Sequence, residues 1–251
     1  MSLPWQVAWI TGASSGIGAE MARQLADSGV TVAITARTRS ALDEMSKAQP
    51  NLRAYPADVT DAQQLSEVLA RIEQELGAVD LVVAGAGTYR PVALDTFSPD
   101  PFRRMVDTNY MGVINVLSAV LPVFRGRRKG HVAWIASVAG YRGLPKAAAY
   151  GPTKAALINL AESLKPELEA DGITVSVINP GFVRTPLTAQ NDFEMPFLME
   201  APEAARRSIA GLARGRFEIA FPARFVVILK LARLLPYRLY FALIRRAVLK
   251  R

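Results

Sequence analysis

Thr11-Gly12-Ala13-Ser14-Ser15-Gly16-Ile17-Gly18 follows a short apolar run near the N-terminus and opens an amphipathic stretch. Glycines between a strand and a helix permit a tight turn and let a ligand approach the backbone closely. The first turn of such a helix presents free N–H groups and a partial positive charge, which together favour a phosphate group. The loop therefore predicts a strand–loop–helix site for a pyrophosphate; the alternative is an ordinary turn.

Apolar and amphipathic segments alternate beyond this loop. The predicted strands are 7–11, 31–35, 52–55, 81–84, 132–136 and 174–178. The predicted helices between them are 16–28, 39–47, 61–76, 100–124 and 147–170. This alternation predicts an α/β fold, a doubly wound parallel sheet with helices on both faces, which is the three-layer α/β/α Rossmann fold. Ligands of such sheets bind beyond the carboxyl ends of the strands.

The composition narrows the chemistry. A chain of 251 residues, about half of them hydrophobic, suits one large domain, predicted over residues 1–223. With no cysteine and one histidine, the chain offers no disulfide, no thiolate chemistry and no His-rich metal cluster, so no metal site is predicted. His131 opens a predicted buried strand and is expected to be structural.

The net charge of +8 belongs to the C-terminal segment, because residues 224–251 contain eight Lys or Arg and no acid. The remaining 22 basic and 22 acidic residues balance, so nothing indicates nucleic-acid binding. The segment 224–251 is predicted as a basic amphipathic helical extension that Pro236 divides in two. Three roles are open for this segment: it could contact an anionic membrane surface, contact another subunit or cap the active site.

The N-terminus has no basic region followed by a long apolar run, and no stretch approaches the roughly 20 apolar residues that span a bilayer. We therefore expect a cytoplasmic protein, with peripheral association at the membrane surface as the variant that the basic extension suggests.

A second motif, Tyr150-Gly151-Pro152-Thr153-Lys154, lies thirteen residues after Ser137. Tyr150 and Lys154 share one helix face, where an ammonium group would lower the tyrosine pKa from about 10 toward working pH. Tyr150 would then act as a general acid. Ser137 follows the fifth strand and would donate to a substrate oxygen. The alternative is a packed ring beside a lysine that reaches toward solvent.

Taken together, the two motifs resemble the short-chain dehydrogenase/reductase family, in its NADP-preferring subgroup, over residues 5–187. The resemblance implies hydride transfer between a nicotinamide and a carbonyl or alcohol, and a homodimer or homotetramer. Its catalytic set would be Asn109, Ser137, Tyr150 and Lys154, with Asn109 holding a water that relays protons to Lys154. One departure is Ala84-Gly85-Ala86-Gly87, where the family usually carries Asn-Asn-Ala-Gly.

The cofactor would contact the glycine loop, the ends of later strands and the catalytic residues. By the loop chemistry and the resemblance, these contacts are Gly12, Ser14, Ser15, Gly16, Ile17, Gly18, Asp58, Val59, Ala86, Gly87, Asn109, Tyr150, Lys154, Pro180, Gly181, Val183 and Thr185. Asp58 and Val59 would face the adenine, although Asp58 can also cap the following helix. Thr185 would meet the nicotinamide carboxamide.

The end of the second strand predicts which dinucleotide binds. An acid there would bind the ribose of NAD, but Ala36 takes this place and Arg37 follows. A guanidinium can bind a 2′-phosphate through two hydrogen bonds, with Arg39 as a second cation. We therefore predict NADP(H) over NAD(H); the alternative is that Arg37 is a solvated surface charge.

The substrate segment is the predicted lid, about 187–205. No Arg or Lys lies between Thr185 and Glu200, which favours a hydrophobic ketone, aldehyde or alcohol over an acidic substrate. Five apolar residues either line a pocket or pack the lid onto the domain: Phe193, Met195, Phe197, Leu198 and Met199. The leading function is an NADPH-dependent carbonyl reductase or alcohol dehydrogenase; the alternative is an NADPH-binding sensor or membrane-surface scaffold with little turnover.

Overall fold

The computed structural model describes residues 3–248 apart from positions 93, 96 and 192, so the last residues of the predicted extension lie outside the described chain. The strands are β1 Val7–Thr11, β2 Thr31–Thr35, β3 Leu52–Ala54, β4 Leu81–Ala84, β5 Gly130–Ile135, β6 Ile173–Pro180, β7 Val183–Arg184, β8 Met199–Glu200 and β9 Glu218–Phe221. The helices are α1 Gly16–Asp27, α2 Arg39–Ala48, α3 Ala62–Leu76, α4 Pro99–Met105, α5 Gly112–Arg127, α6 Tyr150–Ala170, α7 Ala201–Ala213, α8 Ala223–Leu234 and α9 Tyr237–Val248.

Seven strands form one parallel sheet in the order β3-β2-β1-β4-β5-β6-β9, while the two-residue strands β7 and β8 pair separately. All five residues of β1 are buried, as expected of a strand that is covered on both faces. One core lies on the face with Trp9, Phe124 and Trp134, and a second on the face with Leu25 and Ile34. The predicted doubly wound α/β/α fold is confirmed.

The predicted helix over 100–124 is not one regular helix. The π-helical turn Val106–Met111 lies between α4 and α5. Such turns contain an extra residue and are frequent at functional sites. Here the turn holds Asn109, whose side chain is fully buried. The other predicted elements agree with the structure to within a few residues. Helix α6 begins at Tyr150, so Pro152 lies in its first turn, where a proline interrupts no hydrogen bond of the helix.

The C-terminal segment forms two helices that Pro236 separates, as predicted. Helix α8 follows β9 almost directly, and Phe225 and Val226 extend the core on the α3–α5–α6 side of the sheet. Among the residues that the structure describes, no helix has both the length and the apolar character needed to cross a bilayer.

His131 is a buried core residue, as expected. Its Nε2 lies 2.8 Å from Ser176 Oγ, and that hydroxyl donates to the Arg216 carbonyl, so His131 donates Nε2–H to Ser176. Burial lowers the pKa of His131 from 6.5 to about 4. The neutral ring therefore belongs to the folded state.

This pKa predicts acid sensitivity. Between pH 6.5 and 4 the unfolded chain binds a proton at His131 that the folded chain does not, so the free energy of unfolding falls as the pH falls. We expect wild type to lose about 3 kcal/mol more than His131→Gln over this range. Urea unfolding of both proteins across the range measures the difference, and parallel pH profiles would contradict the assignment.

Candidate active site

A cleft of about 270 Å³ opens at the carboxyl ends of the parallel strands. Every predicted cofactor residue except Asn109 lines it: Gly12, Ser14, Ser15, Gly16, Ile17, Gly18, Arg37, Asp58, Val59, Ala86, Gly87, Tyr150, Lys154, Pro180, Gly181, Val183 and Thr185. The β1–α1 loop forms one part of the cleft, and the segments that follow β2, β3, β4, β5 and β6 form others, together with the first turns of α6. The fold thus brings together residues that are up to 173 positions apart in the sequence.

The glycine loop has no room for a side chain at Gly12 or Gly18. Gly12 has a φ of +71°, and a Cβ on it would lie 2.5 Å from the Ala86 backbone nitrogen. A Cβ on Gly18 would lie 2.5 Å from the Gly12 carbonyl oxygen. The side chain of Ser15 does not cap α1, so the first N–H groups of the helix are available to an anion. This cradle fits the pyrophosphate of a dinucleotide.

Two neighbours of the loop show how its surroundings are fixed. Asp58 accepts hydrogen bonds from the Thr60 N–H and hydroxyl, at 3.0 and 2.9 Å, while also lining the cleft. The cap of α3 is instead Asp61, which accepts from the Gln64 N–H. Gly85, in the segment that lacks the usual asparagines, donates its N–H to the carbonyl and the hydroxyl of Thr11, at 3.1 and 3.3 Å.

Asn109 lies beneath the cleft. Its Oδ1 accepts from the Thr88 N–H at 2.7 Å, and its Nδ2 donates to the Thr88 carbonyl at 2.9 Å and to Thr153 Oγ1 at 3.3 Å. Its side chain therefore braces the loop after β4 against α6, and the adjacent Thr108 lines the cleft instead. A direct cofactor contact by this side chain, as the sequence suggested, does not agree with its complete burial.

Ser137, Tyr150 and Lys154 come together in the lining of the cleft. The side chain of Ser137 hydrogen-bonds the Tyr150 hydroxyl, accepts from the Ala139 N–H at 3.1 Å and donates to the Pro180 carbonyl at 3.3 Å. Lys154 Nζ lies 5.4 Å from the Tyr150 ring centroid and donates to the Ile135 carbonyl at 2.8 Å. The hydroxyl groups of Ser137 and Tyr150 and the amine of Lys154 are thus close neighbours in the cleft.

The pKa values of this group differ from the sequence-based expectation. Burial raises the pKa of Tyr150 to about 12, although its hydrogen bond with Ser137 opposes the rise. Burial also lowers the pKa of Lys154 from 10.5 to about 7. The expected lowering of the Tyr150 pKa is therefore absent from the protein alone, because the effect of burial outweighs that of the hydrogen bond with Ser137. Tyr150 is a protonated donor in this state.

A second, apolar pocket of about 110 Å³ adjoins Ser137 and Tyr150. Five aromatic residues from separate parts of the chain line it: Tyr89, Tyr150, Phe182, Phe193 and Phe225. The Tyr89 ring meets the Tyr150 ring edge-on at 5.3 Å, and Phe182 stacks on Phe225 at 5.7 Å. Sequence analysis missed Tyr89, Phe182 and Phe225, since nothing in their local patterns brings them together.

The predicted lid residues divide between the two proposed roles. Of the five, Phe193 lines the apolar pocket. Phe197 instead packs against Phe225, with ring centroids 5.8 Å apart, and the Met195 sulfur accepts a hydrogen bond from Asn191. Met199 lies in β8 and packs against the core.

The C-terminal helices are fastened to the loop between Ser137 and Tyr150. Arg142 donates to the carbonyls of Ala232, Arg233 and Leu235. Its guanidinium lies 3.8 Å from the Tyr240 ring centroid, and the Tyr240 hydroxyl donates to the Gly143 carbonyl. Together with Phe225, which lines the apolar pocket, these contacts fix the extension next to that pocket.

Arg37 is exposed and lines the cleft at the end of β2. Arg39 is also exposed, but it starts α2 and does not line the cleft. Only Arg37 is therefore in place for a phosphate bound there. No group of three His, Asp or Glu side chains suited to a metal ion occurs in the described part of the chain.

A dinucleotide cradle on a Rossmann sheet, with a Ser–Tyr–Lys group between it and an apolar pocket, defines a nucleotide-dependent oxidoreductase. The family model of short chain dehydrogenases matches residues 6–195. An uncharacterized oxidoreductase of Myxococcus xanthus (strain DK1622) is 39% identical over 248 residues, which cover 97% of this chain and 98% of that protein. The chain belongs to the short-chain dehydrogenase family.

Solved structures agree with this assignment. A short-chain dehydrogenase from Streptomyces avermitilis matches with a TM-score of 0.83 at 28% identity, over 96% of this chain and 97% of that one. A short-chain dehydrogenase from Sphingobium yanoikuyae in complex with NADPH matches with a TM-score of 0.77 at 26% identity, over 88% and 91% of the two chains. Other matching structures hold NADP or NAD, so the family alone does not determine the preferred cofactor.

Proposed function

We propose that this enzyme is an NADPH-dependent carbonyl reductase, or in reverse an alcohol dehydrogenase, for a hydrophobic ketone or secondary alcohol. One observation carries the proposal: Ser137 and Tyr150 line both the nucleotide-sized cleft and the small apolar pocket. A carbonyl group at this junction would meet a hydride donor on one side and two hydroxyl groups on the other.

NADPH held in the cleft would supply the hydride and, once oxidised, a positive charge. Ser137, which donates to the Pro180 carbonyl in this structure, would turn its hydroxyl to the substrate carbonyl oxygen, and Tyr150 would deliver the proton that the resulting alkoxide needs. Lys154, with a pKa of about 7, carries positive charge in part of the molecules and stabilises the phenolate that Tyr150 leaves behind. Asn109 holds the loop after β4 in place against helix α6.

The lining of the apolar pocket supports the substrate class. Five aromatic residues, Tyr150 among them, line it together with Leu144, Pro145 and Leu187, and Ser137 and Tyr150 contribute hydroxyl groups. Such a pocket orients an apolar molecule by one polar group.

We propose a homodimer or homotetramer in the cytoplasm, with residues 224–251 at a membrane surface.

Arg37 supports the preference for NADPH. We expect Arg37→Asp to weaken NADPH binding about ten- to a hundredfold and to leave NADH binding equal or tighter, because a charge-assisted phosphate contact becomes a repulsion. Arg39→Asp is the matched control, since it changes the same charge outside the cleft. Titration of both cofactors by fluorescence gives the ratios. If Arg37→Asp weakened NADPH and NADH alike, the assignment would be wrong.

The proposal itself is tested by NADPH oxidation with a panel of apolar ketones, aldehydes, steroids and 3-oxoacyl thioesters. Turnover that depends on the carbonyl compound supports the reductase. NADPH binding with no turnover on any member would favour the second candidate, an NADPH-binding sensor or membrane-surface scaffold. The exposed apolar side chains of the C-terminal helices are the observation behind that candidate.

A further inference from the structure

Helix α8 is apolar on two opposite faces. Its inner face packs on the domain and consists of Phe225, Val226, Leu229 and Ala232. Its outer face is exposed and consists of Val227, Ile228, Leu231 and Leu234. Each set repeats at i, i+1, i+4 and i+7, the spacing of one helix face. Large apolar side chains on the outer side of a helix are normally covered when they form one face, so the outer face of α8 needs a partner.

Helix α9 also exposes apolar side chains, but on two sides. Tyr237 and Phe241, four residues apart, share one side, and Leu239 and Leu243 share the opposite side. The rings of Tyr237 and Phe241 stack at 5.9 Å, which places two aromatic side chains together at the surface. Apolar patches that extend over two helices mark interaction sites.

The charge of this segment indicates what covers the patch. Residues 224–251 hold eight basic residues and no acid. Lys230 pairs with Glu218, but within the described residues Arg224, Arg233, Arg238, Arg245 and Arg246 form no ion pair. A two-fold contact between copies would bring these like charges together, which disfavours it. An anionic bilayer offers both a hydrocarbon layer for the leucines and negative headgroups for the arginines.

Helix α8 also connects this patch to the substrate pocket. Phe225, on the inner face, lines the pocket, and its ring contacts that of Phe197, which is 45% exposed. The Arg142 contacts hold the end of α8 and the start of α9 against the loop that precedes Tyr150. Phe225 is therefore part of the pocket wall, and the helix pair that carries it is held against the domain rather than being a loose tether.

From this arrangement we propose that the outer face of α8 and the exposed apolar residues of α9 dock on an anionic lipid bilayer. The enzyme would then take a lipophilic carbonyl compound dissolved in that bilayer through the aromatic side of the pocket. Docking does not depend on the reaction that the enzyme catalyses, whereas uptake of the carbonyl compound rests on the proposed reductase function.

Docking is tested by co-sedimentation of the full-length protein with vesicles of equal parts phosphatidylcholine and phosphatidylglycerol, and with phosphatidylcholine vesicles. We expect binding to the anionic vesicles that raised salt weakens. Leu231→Asn/Leu234→Asn is expected to weaken it about tenfold or more. Leu94→Asn is the matched control, because Leu94 is 90% exposed and lies outside the tail. Arg245→Gln/Arg246→Gln should also weaken binding about tenfold, and Arg103→Gln/Arg104→Gln should not.

Substrate delivery is tested with two ketones that the enzyme reduces, one soluble in water and one confined to the anionic vesicles. Leu231→Asn/Leu234→Asn should keep wild-type turnover on the soluble ketone and lose about tenfold on the vesicle-borne one. Equal turnover of wild type and variant on the vesicle-borne ketone would overturn delivery from the bilayer.

The remaining outcomes separate the two proposals. Wild-type protein that reduces the soluble ketone but does not bind anionic vesicles overturns the docking surface and leaves the reductase intact. Vesicle binding without turnover supports docking and contradicts the reductase. A stable dimer in light scattering that Leu231→Asn/Leu234→Asn dissociates would assign the patch to a second copy and overturn the proposal.

Discussion

Tyr150→Phe is expected to reduce kcat by about a hundred- to ten-thousandfold, the range that general acid catalysis contributes. Binding of NADPH should not change, because the phenyl ring still fills the same wall of the cleft. The fold should not change either, since the Ser137 hydroxyl keeps its hydrogen bonds with Ala139 and Pro180. Steady-state turnover, a cofactor titration and thermal unfolding measure the three quantities.

Tyr89→Phe is the matched control. It removes a hydroxyl from the same pocket, and its ring contacts the Tyr150 ring, but Tyr89 is not within the Ser137–Lys154 group. We expect its effect on kcat to be far smaller than that of Tyr150→Phe. Turnover by Tyr150→Phe close to that of wild type would contradict the assignment of Tyr150 as proton donor.

Gly12→Ala is expected to weaken NADPH binding by about a hundredfold or more. The new Cβ would meet backbone atoms of Ala86 and Gly85 at 2.5–2.6 Å, and backbone cannot move aside as a side chain can. The loop and the end of β4 must therefore separate where they form the pyrophosphate cradle. A displacement of about 1 Å at a binding centre is enough for an effect of this size.

Gly29→Ala separates this overlap from backbone strain. Gly29 has a φ of +87°, similar in kind to Gly12, but a Cβ there meets no atom within 4 Å. Both variants should lose about 1–2 kcal/mol of folding stability from the left-handed backbone conformation. Only Gly12→Ala should lose the cofactor, as isothermal titration calorimetry would show. Equal NADPH binding by the two variants would contradict the cradle.

Local patterns were sufficient for the fold. The apolar run Val7–Thr11 and the glycines after it determine a strand, a turn and a helix with little help from the rest of the chain. Both ends of α3 are likewise determined by local sequence, because Asp61 caps its start and Gly77 follows its last residue. The π-helical turn at Val106–Met111 could not be predicted, since a single wider turn is too short to change the periodicity of the apolar residues.

The candidate site was only partly predictable. Short motifs gave the cradle and the Ser–Tyr–Lys group, because each lies at the end of a strand or on the following helix. The pocket wall depends on tertiary contacts between distant segments, as with Phe182 and Phe225. The pKa of Tyr150 likewise depends on burial by the whole fold, which the spacing of Tyr150 and Lys154 does not reveal.

The most direct test of the central claim follows the hydride itself. NADPH that carries deuterium at the transferred position is incubated with wild-type enzyme and an apolar ketone, and the product is analysed by mass spectrometry. We expect an alcohol that contains one deuterium on the former carbonyl carbon and that is formed in an amount equal to that of NADP. Tight NADPH binding with no labelled alcohol from any ketone in the panel would contradict it and favour a protein that binds the cofactor without turning it over.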